Sequence, residues 1–165
     1  METLAVLEDS DPPVVLRRAE AADVRALVAL LAADQLGAGR EDDPADRDAL
    51  APYLDAFAVI DADPAHLLVV AAGGDAVVGT LQLSFIPGLA RRGAWRAQIE
   101  AVRVAGHLRG RGLGEFMIRW AIAEAERRGC ALVQLTTDKR RADAHRFYRR
   151  LGFVASHEGM KLDLR

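Results

Sequence analysis

Hydrophobic and polar residues recur along this chain with two different periods, which predict strands and helices in turn. Residues 14–20 are a short apolar run typical of a strand, and residues 21–35 carry apolar side chains at the spacing of an amphipathic helix. Residues 1–13 combine acids with prolines and predict a flexible leader without regular structure. We expect residues 34–60 to form a mobile flap, because most of them are polar, although residues 49–60 favour a helix.

A β-hairpin is predicted where two strand-like runs, residues 66–72 and 76–86, flank a Gly-Gly-Asp turn. The next strand is predicted over residues 94–104, and strict alternation divides its side chains between two faces. We expect one face to carry Gln98, Glu100, Val102 and Val104, and the other to carry Ile99, Ala101 and Arg103.

Glycines then interrupt the pattern before a long amphipathic helix begins. Four of them lie within residues 106–114, and the helix that follows should end at Gly129, a favourable capping residue. Residues 130–137 predict a buried strand, residues 142–152 a shorter helix, and residues 153–164 a last strand. The order of elements is that of an α/β (α+β) protein.

Composition agrees with one folded domain over residues 14–165. The chain has 165 residues, of which 51% are hydrophobic, which is enough for a single core. Its net charge of −2 argues against nucleic acid or an anionic membrane as the partner. Cys130 is the single cysteine, which excludes an internal disulfide framework and suits a reducing compartment. We expect a cytoplasmic protein, because neither a signal peptide nor a membrane-spanning run is recognisable.

The glycine-rich turn has the composition of an anion-binding loop. A strand that runs through such a turn into a helix leaves amide N–H groups free, at the positive end of the helix dipole. Arg109 and Arg111 add positive charge beside them. Gly110, Gly112 and Gly114 lack the G-x-G-x-x-G spacing of dinucleotide loops, and a Walker loop is excluded because no Lys precedes a Ser or Thr. The alternative is a flexible turn before an ordinary helix.

Two segments resemble motifs of the GCN5-related N-acetyltransferase (GNAT) family. Arg-Gly-Arg-Gly-Leu-Gly at residues 109–114 resembles the family's pyrophosphate loop, R/Q-x-x-G-x-G/A, and Ala-His-Arg-Phe-Tyr-Arg-Arg-Leu-Gly-Phe at residues 144–153 resembles its second motif. The resemblance implies a single-domain acyl-CoA N-acyltransferase fold, a mixed, splayed β-sheet with helices on both faces. It also implies acetyl-CoA, or another acyl-CoA, as co-substrate between two parted strands, without a metal.

The same resemblance implies which residues contact the acyl donor. Amides of residues 109–114 would hold the pyrophosphate, and the main chain of residues 102–104 would pair with the pantetheine arm. A main-chain N–H near Val102 would polarise the thioester carbonyl. The complete set is Val102, Arg103, Val104, Arg109, Gly110, Arg111, Gly112, Leu113 and Gly114.

Tyr148 is the candidate general acid. The resemblance places it at a motif position that often protonates the leaving thiolate, and a tyrosine is protonated at neutral pH. The alternative is a core tyrosine beside Phe147 and Leu151 whose hydroxyl has only a structural partner.

Glu100 is the candidate general base. It lies in an otherwise apolar strand, two residues before Val102 and, by alternation, on the same face. An amine is mostly protonated at pH 7 and must lose a proton before or during attack, and some GNAT enzymes use a glutamate here. The alternative is a structural glutamate paired with Arg96 or Arg103.

Other polar residues carry weaker hypotheses. Cys130 is interpreted as an inert core thiol rather than an acyl-enzyme nucleophile, because no His stands at motif spacing. The four histidines lack metal-ligand spacing. Arg141 departs from the family pattern, in which many members carry an asparagine that contacts the acyl-CoA arm.

The sequence thus predicts transfer of an acetyl group from acetyl-CoA to a primary amine of a small molecule or peptide, by direct attack in a ternary complex. A non-catalytic acyl-CoA-binding sensor or regulatory subunit is the alternative. A nucleic-acid-binding module is disfavoured by the acidic balance and an aromatic content of 5%. The motifs define only the donor side, so the acceptor stays open, and the last strand and the helices are candidate homodimer surfaces.

Overall fold

A six-stranded β-sheet forms the centre of the computed structural model, which describes residues 2–34, 41–46 and 48–164. The strands lie side by side in the order in which they occur in the chain. Neighbours are antiparallel from the first strand to the fifth, whereas the fifth and sixth are parallel. The strands are β1 (Thr3–Leu7), β2 (Val14–Arg18), β3 (His66–Gly73), β4 (Ala76–Ile86), β5 (Arg96–Val104) and β6 (Leu132–Leu135).

Helices cover both faces of this sheet, as the resemblance implied. They are α1 (Val24–Ala32), α2 (Ala51–Ala62), the single turn α3 (Ala90–Gly93), α4 (Leu113–Arg127) and α5 (Ala142–Arg150). Adjacent residues of β3 show the two faces, because Val69 and Val70 are both fully buried in different hydrophobic clusters. Val70 packs with Leu27 of α1 and Phe57 of α2, whereas Val69 shares a cluster with Met117 of α4.

The larger core lies between the sheet and helices α4 and α5. Leu81, Leu83 and Ile99 of the sheet cluster with Met117 and Ile118 of α4, and each is at most 2% exposed. Burial of one such side chain stabilises the fold by about 1.5–3 kcal/mol. Half-buried aromatic side chains of α5 pack against the same cluster, so α5 lies on the α4 face.

The hairpin and the long amphipathic helix form where the hydrophobic pattern predicted them. β3 and β4 pair as antiparallel neighbours across a tight turn, in which Gly74 has a φ of +59°. α4 ends just before Gly129, whose φ of +74° is typical of a helix-capping glycine. The amide of Cys130 then donates to the carbonyl of Ala125 at 3.0 Å.

The prediction of an irregular leader over residues 1–13 is wrong for its first half. Strand β1 forms there and pairs antiparallel with β2. Leu4 and Leu7 pack against the main core. The apolar content of this short strand, together with an available edge on β2, outweighs the prolines that follow.

The helix that residues 49–60 favour forms as α2. Phe57 anchors it to α1 and the sheet, so the second half of the predicted flap is packed rather than mobile. Residues 35–40 and 47 of that flap lie outside the described residues. The last strand predicted over residues 153–164 is wrong, since the described part of this segment has no regular secondary structure.

Candidate functional site

A slot opens between strands β5 and β6. The two strands pair only where Arg96–Ile99 lie beside Leu132–Leu135, and β6 ends there. β5 continues to Val104, still paired with β4 on its other side. Within the described chain, one edge of residues 100–104 therefore has no neighbouring strand. This geometry is the splayed sheet that the resemblance implied.

A β-bulge interrupts β5 at the mouth of this slot. Thr80 lies opposite Arg103 and Gln82 lies opposite Glu100, so β5 holds two residues where β4 holds one. Ala101 adopts a left-handed conformation there, with a φ of +52°. The extra residue inverts the alternation of side chains beyond it.

The bulge separates Glu100 from Val102 and Val104, because it redirects the side chains that follow it. The expectation that Glu100 shares a face with Val102 and Val104 is wrong. Val102 and Val104 pack against the core on the α4 side of the sheet. Glu100 and Arg103 lie on the side of α1 and α2, and Glu100 is exposed to solvent.

The glycine-rich loop presents free amides at the start of α4. The amides of Gly110, Gly112, Leu113 and Gly114 have no acceptor among the described residues. Gly110 and Gly112 have φ values of +76° and +87°, and a Cβ at either position would meet no atom within 4 Å. Glycine therefore permits the backbone conformation here, and the loop surface is open to an anion.

The amides of the two arginines in the loop have hydrogen-bond acceptors, unlike those of the neighbouring glycines. The amides of Arg109 and Arg111 donate to carbonyls of the preceding turn, at 3.3 and 3.4 Å. Both side chains are exposed, and the Nε of Arg109 donates to the carbonyl of Val104 at 3.2 Å. The free amides of the loop therefore begin at Gly110, and Arg109 connects the loop to the end of β5.

Tyr148 lies on α5, half-buried between two aromatic rings. Its ring meets those of Phe147 and Phe153 edge to face, with centroids 5.0 and 5.7 Å apart. Burial raises the pKa of the Tyr148 hydroxyl, and the charges of Arg103 and Arg141 oppose that shift. The hydroxyl is therefore protonated at neutral pH and lies within electrostatic reach of both guanidinium groups.

Sequence reasoning missed an ion cluster near Tyr148. Asp34 lies just after α1 with its side chain only 7% exposed, and both carboxylate oxygens accept hydrogen bonds from Arg141, Oδ1 at 2.8 Å. Arg103 Nη2 lies 3.3 Å from Asp34 Oδ2, while Arg103 Nη1 donates to the Val102 carbonyl at 2.8 Å. The hydrogen bonds from Arg141 and the nearby arginine charges hold the pKa of Asp34 below its ordinary value.

The pair of Asp34 and Arg141 connects the two sides of the sheet. α1 and α5 lie on opposite faces, so the pair passes beside the β5 residues that β6 leaves without a partner. The two residues are 107 positions apart, which no local sequence pattern reveals. The one available signal was the arginine at a position where many GNAT members carry asparagine.

A row of polar side chains also crosses the α1 and α2 face of the sheet. Its members lie opposite one another in register across four strands, and they are His66, Ser84, Gln98 and Gln134. The Nδ1 of His66 lies 2.8 Å from the Ser84 hydroxyl, and Gln134 donates to Gln98 at 2.6 Å. Glu100 lies beside this row and forms no ion pair within the described part of the chain.

Two other sequence-based interpretations concern cysteine and metals. Cys130 is half-buried, and burial raises the pKa of its thiol, so the thiolate is disfavoured at neutral pH. In the described ranges, no group of three or more His, Cys, Asp or Glu side chains is placed to hold a metal ion. None of the helices in those ranges combines the length and apolar character needed to cross a membrane.

A parted sheet edge beside a loop of free amides defines the class of acyl-CoA-dependent N-acyltransferases. Comparison with protein families assigns the chain more narrowly. The family described as "Acetyltransferase (GNAT) family" matches residues 26–153. The chain belongs to this family of acetyl-CoA-dependent N-acetyltransferases.

Individual proteins match the chain over most of its length. An aminoalkylphosphonate N-acetyltransferase of Salmonella typhimurium is 33% identical over 151 residues, which cover 91% of each chain. The crystal structure of a transcriptional regulator from Bacillus halodurans has a TM-score of 0.88 and 46% identity, and covers 92% of this chain and 99% of its own. The structure of an acetyltransferase from Trypanosoma brucei has a TM-score of 0.74 and 26% identity, with coverage of 92% and 99%.

Proposed function

We propose that this protein transfers the acetyl group of acetyl-CoA to a primary amine of a small molecule, by direct attack in a ternary complex. One observation carries the proposal: the open edge of β5 lies between a loop of free amides and two titratable side chains. Those groups, Glu100 and Tyr148, stand on opposite sides of the sheet.

The donor is held mainly by main-chain groups. Amides of Gly110, Gly112, Leu113 and Gly114 bind the pyrophosphate, and the guanidinium groups of Arg109 and Arg111 add positive charge. The pantetheine arm then follows the open edge of Val102, Arg103 and Val104, where a main-chain N–H near Val102 polarises the thioester carbonyl. Arg103 and Arg109 already donate to the carbonyls of Val102 and Val104, so these arginines move aside if the arm requires both carbonyls.

The two faces of the sheet separate the two proton transfers. The amine approaches from the α1 and α2 side, and Glu100 takes a proton from its nitrogen, directly or through water. The nitrogen attacks the carbonyl carbon, and the carbon–sulfur bond of the resulting tetrahedral intermediate breaks. The departing thiolate receives the hydroxyl proton of Tyr148 from the α5 side, and the nitrogen releases its remaining extra proton to water. Proton exchange with water then returns the Tyr148 phenolate and the protonated Glu100 to their starting states. The products are an N-acetyl amine and free CoA.

Release of free CoA thiol across a panel of amines tests this proposal. We expect Tyr148→Phe to lower kcat by about 10²–10⁴-fold, because that is the usual contribution of a positioned proton donor. Tyr53→Phe is the matched control, since Tyr53 lies on α2 and its hydroxyl donates to Glu41 at 3.0 Å. Wild-type rates in Tyr148→Phe would remove the acid role.

The base role of Glu100 has its own test. We expect the Glu100→Gln variant to be slower than the wild type at neutral pH and to regain its rate at higher pH. At higher pH a larger fraction of the amine is unprotonated and needs no base. Glu126→Gln on the exposed side of α4 is the matched control. A pH profile parallel to that of the wild type would contradict the role of Glu100 as base.

Similarity to the Salmonella enzyme makes an aminoalkylphosphonate the first acceptor to try. Similarity to a protein described as a transcriptional regulator favours one second candidate, a non-catalytic acyl-CoA-binding regulator. Calorimetry distinguishes the two, because a regulator would bind acetyl-CoA without turnover on any amine of the panel.

A further inference from the structure

The ion cluster of Asp34, Arg103 and Arg141 contains more positive than negative charge. Two guanidinium groups share the single carboxylate of Asp34. That carboxylate is the buried member, with a side chain 7% exposed, whereas the side chains of Arg103 and Arg141 are 24% and 32% exposed. The charge of Arg109 also acts on Asp34. The part of the cluster that solvent and ligands can reach is therefore positive.

The surrounding acids leave this excess charge in place. The carboxylate of Asp138, which also faces Arg141, accepts hydrogen bonds from Arg140 at 2.9 and 3.0 Å. Glu100, the acid on the same face of β5, forms no ion pair with any residue that the structure describes. An excess charge in a partly buried site favours binding of a counter-ion.

Arg103 is the more loosely held of the two arginines. Its Nη2 lies 3.3 Å from Asp34, which is longer than the usual 2.7–2.9 Å of a charge-assisted hydrogen bond, whereas Arg141 binds both carboxylate oxygens. Its Nη1 donates to the Val102 carbonyl, which the pantetheine arm is proposed to use. Its Nε is buried and has no acceptor among the described side chains and carbonyls. Because an unpaired buried donor costs free energy, Arg103 gains by turning toward a ligand.

The cluster lies next to the proposed base on the same face of the sheet. Arg103 and Glu100 lie opposite Thr80 and Gln82, which are two positions apart on β4. Two positions correspond to about 7 Å along a strand. A negative group and a positive group thus lie side by side on the face from which the amine is proposed to approach. A ligand that complements both carries an ammonium group and an anion, joined by a short linker.

We propose that Arg103 and Arg141 select acceptors in which a carboxylate, phosphonate or phosphate group lies a short linker away from the reacting amine. This inference rests on the proposed function, because it concerns the acceptor of that reaction. The amine lies at Glu100, and the anion accepts hydrogen bonds from the guanidinium group of Arg103, beside the charge of Arg141. Asp34 holds Arg141 in place and leaves the cluster with a single excess positive charge.

Matched pairs of amines test this selectivity on the wild type. The pairs are β-alanine with β-alaninamide and aminoethylphosphonate with ethanolamine, and in each pair only the first member carries an anion. We expect kcat/KM to be about 10–100-fold higher for the anionic member of at least one pair, which is the usual contribution of charge-assisted hydrogen bonds. Equal values within both pairs overturn the inference and leave the proposed function standing. Release of CoA thiol with none of these amines, nor with others of the panel, refutes the proposed function itself.

Two substitutions should move this preference in opposite directions. Arg141→Gln leaves one guanidinium group and one carboxylate, so the preference for the anionic member should be largely lost. Asp34→Asn removes the carboxylate, so the preference should increase. Arg140→Gln is the matched control and should keep the wild-type ratio, because Arg140 is exposed and binds Asp138.

The ratio of the two kcat/KM values separates selection from a purely structural role. Both substrates are measured on the same preparation, so a loss of folded enzyme lowers both values by the same factor. A ratio that is unchanged in Arg141→Gln and Asp34→Asn, or that moves in the same direction in both, overturns the inference. A higher KM for acetyl-CoA in Arg141→Gln, with an unchanged ratio for the acceptors, would assign the excess charge to the donor and overturn it as well.

Discussion

Asp34→Asn isolates the ion cluster that connects the two sides of the sheet. The substitution keeps the shape of the side chain and removes its charge, while Arg103 and Arg141 stay in place. One amide oxygen then replaces two carboxylate oxygens as the acceptor, and the amide nitrogen cannot accept a hydrogen bond at all. Arg103 and Arg141 then keep their positive charges in a partly buried site where no carboxylate neutralises them.

The expected loss of stability follows from the burial of the three side chains. Removing one partner of a buried ion pair costs about 3–5 kcal/mol, because it leaves an uncompensated charge. The Asp34 side chain is 7% exposed, but those of Arg103 and Arg141 are 24% and 32% exposed. Water therefore screens the two arginines in part, and we expect a loss of unfolding free energy at the lower end of this range, about 3 kcal/mol. For a domain of this size, that corresponds to a fall in Tm of about 6–12 °C.

The effect should depend on pH with a defined sign. The pKa of Asp34 is lowered from its ordinary value of 3.8 in the folded protein, so the unfolded chain binds the proton more readily. The stabilisation is complete above the unfolded value and is lost as pH falls through the lowered folded value. The difference in Tm between wild type and Asp34→Asn should therefore be full at pH 7 and shrink below about pH 4.

Thermal unfolding followed by circular dichroism at a series of pH values measures both effects. Asp138→Asn is the matched control, because Asp138 also binds an arginine, Arg140, but does so at the surface. We expect its Tm at pH 7 to stay close to that of the wild type. Equal values of Tm for Asp34→Asn and Asp138→Asn at pH 7 would refute the structural importance of the cluster.

Two further predictions concern the core and the loop. Leu83→Ala should lower the free energy of unfolding by about 2–5 kcal/mol, because Leu83 is fully buried. Leu89→Ala should have little effect on it, because Leu89 is fully exposed. If denaturant unfolding ranks the two variants otherwise, the core assignment is contradicted. Gly112→Ala should lower the free energy of unfolding by about 1 kcal/mol and weaken CoA binding, because the φ of Gly112 is +87°. Gly106→Ala should preserve CoA affinity, because Gly106 has an ordinary φ and lies in open space. Equal CoA affinities of the two variants in calorimetry would contradict the anion-loop assignment.

The parts of the fold that the sequence predicts well are set by local chemistry. Apolar spacing and a glycine cap define α4, and the Gly-Gly-Asp turn defines the hairpin of β3 and β4, with no contribution from distant residues. The conformation of the glycine-rich loop belongs to the same group, because it depends on glycines close together in the chain. The prediction failed for residues 153–164, where a clear strand pattern has no partner within the described chain.

The parts that could not be predicted depend on residues distant in sequence or on an irregularity without a local signal. The partner of Asp34 lies 107 residues away, on the opposite face of the sheet. Ala101 takes a positive φ although alanine rarely does so, and nothing near it in the sequence marks a bulge. Regular alternation was therefore the reasonable expectation for β5, and it placed Glu100 on the same face as Val102 and Val104.

The bulge at Ala101 has a direct consequence for the proposed chemistry. Without the extra residue, regular alternation from Glu100 would turn Val102 and Val104 onto its face and would turn Arg103 toward the core beneath α4, where its guanidinium would be desolvated. With the bulge, the Glu100 carboxylate is exposed to solvent on the α1 and α2 side, from which the amine is proposed to approach, while Tyr148 lies on the α5 side. The proposed base and acid then act on different atoms of the intermediate from different faces. Substitution of Glu100 should accordingly alter the pH dependence with each amine, whereas substitution of Tyr148 should slow thiol release with every acceptor alike.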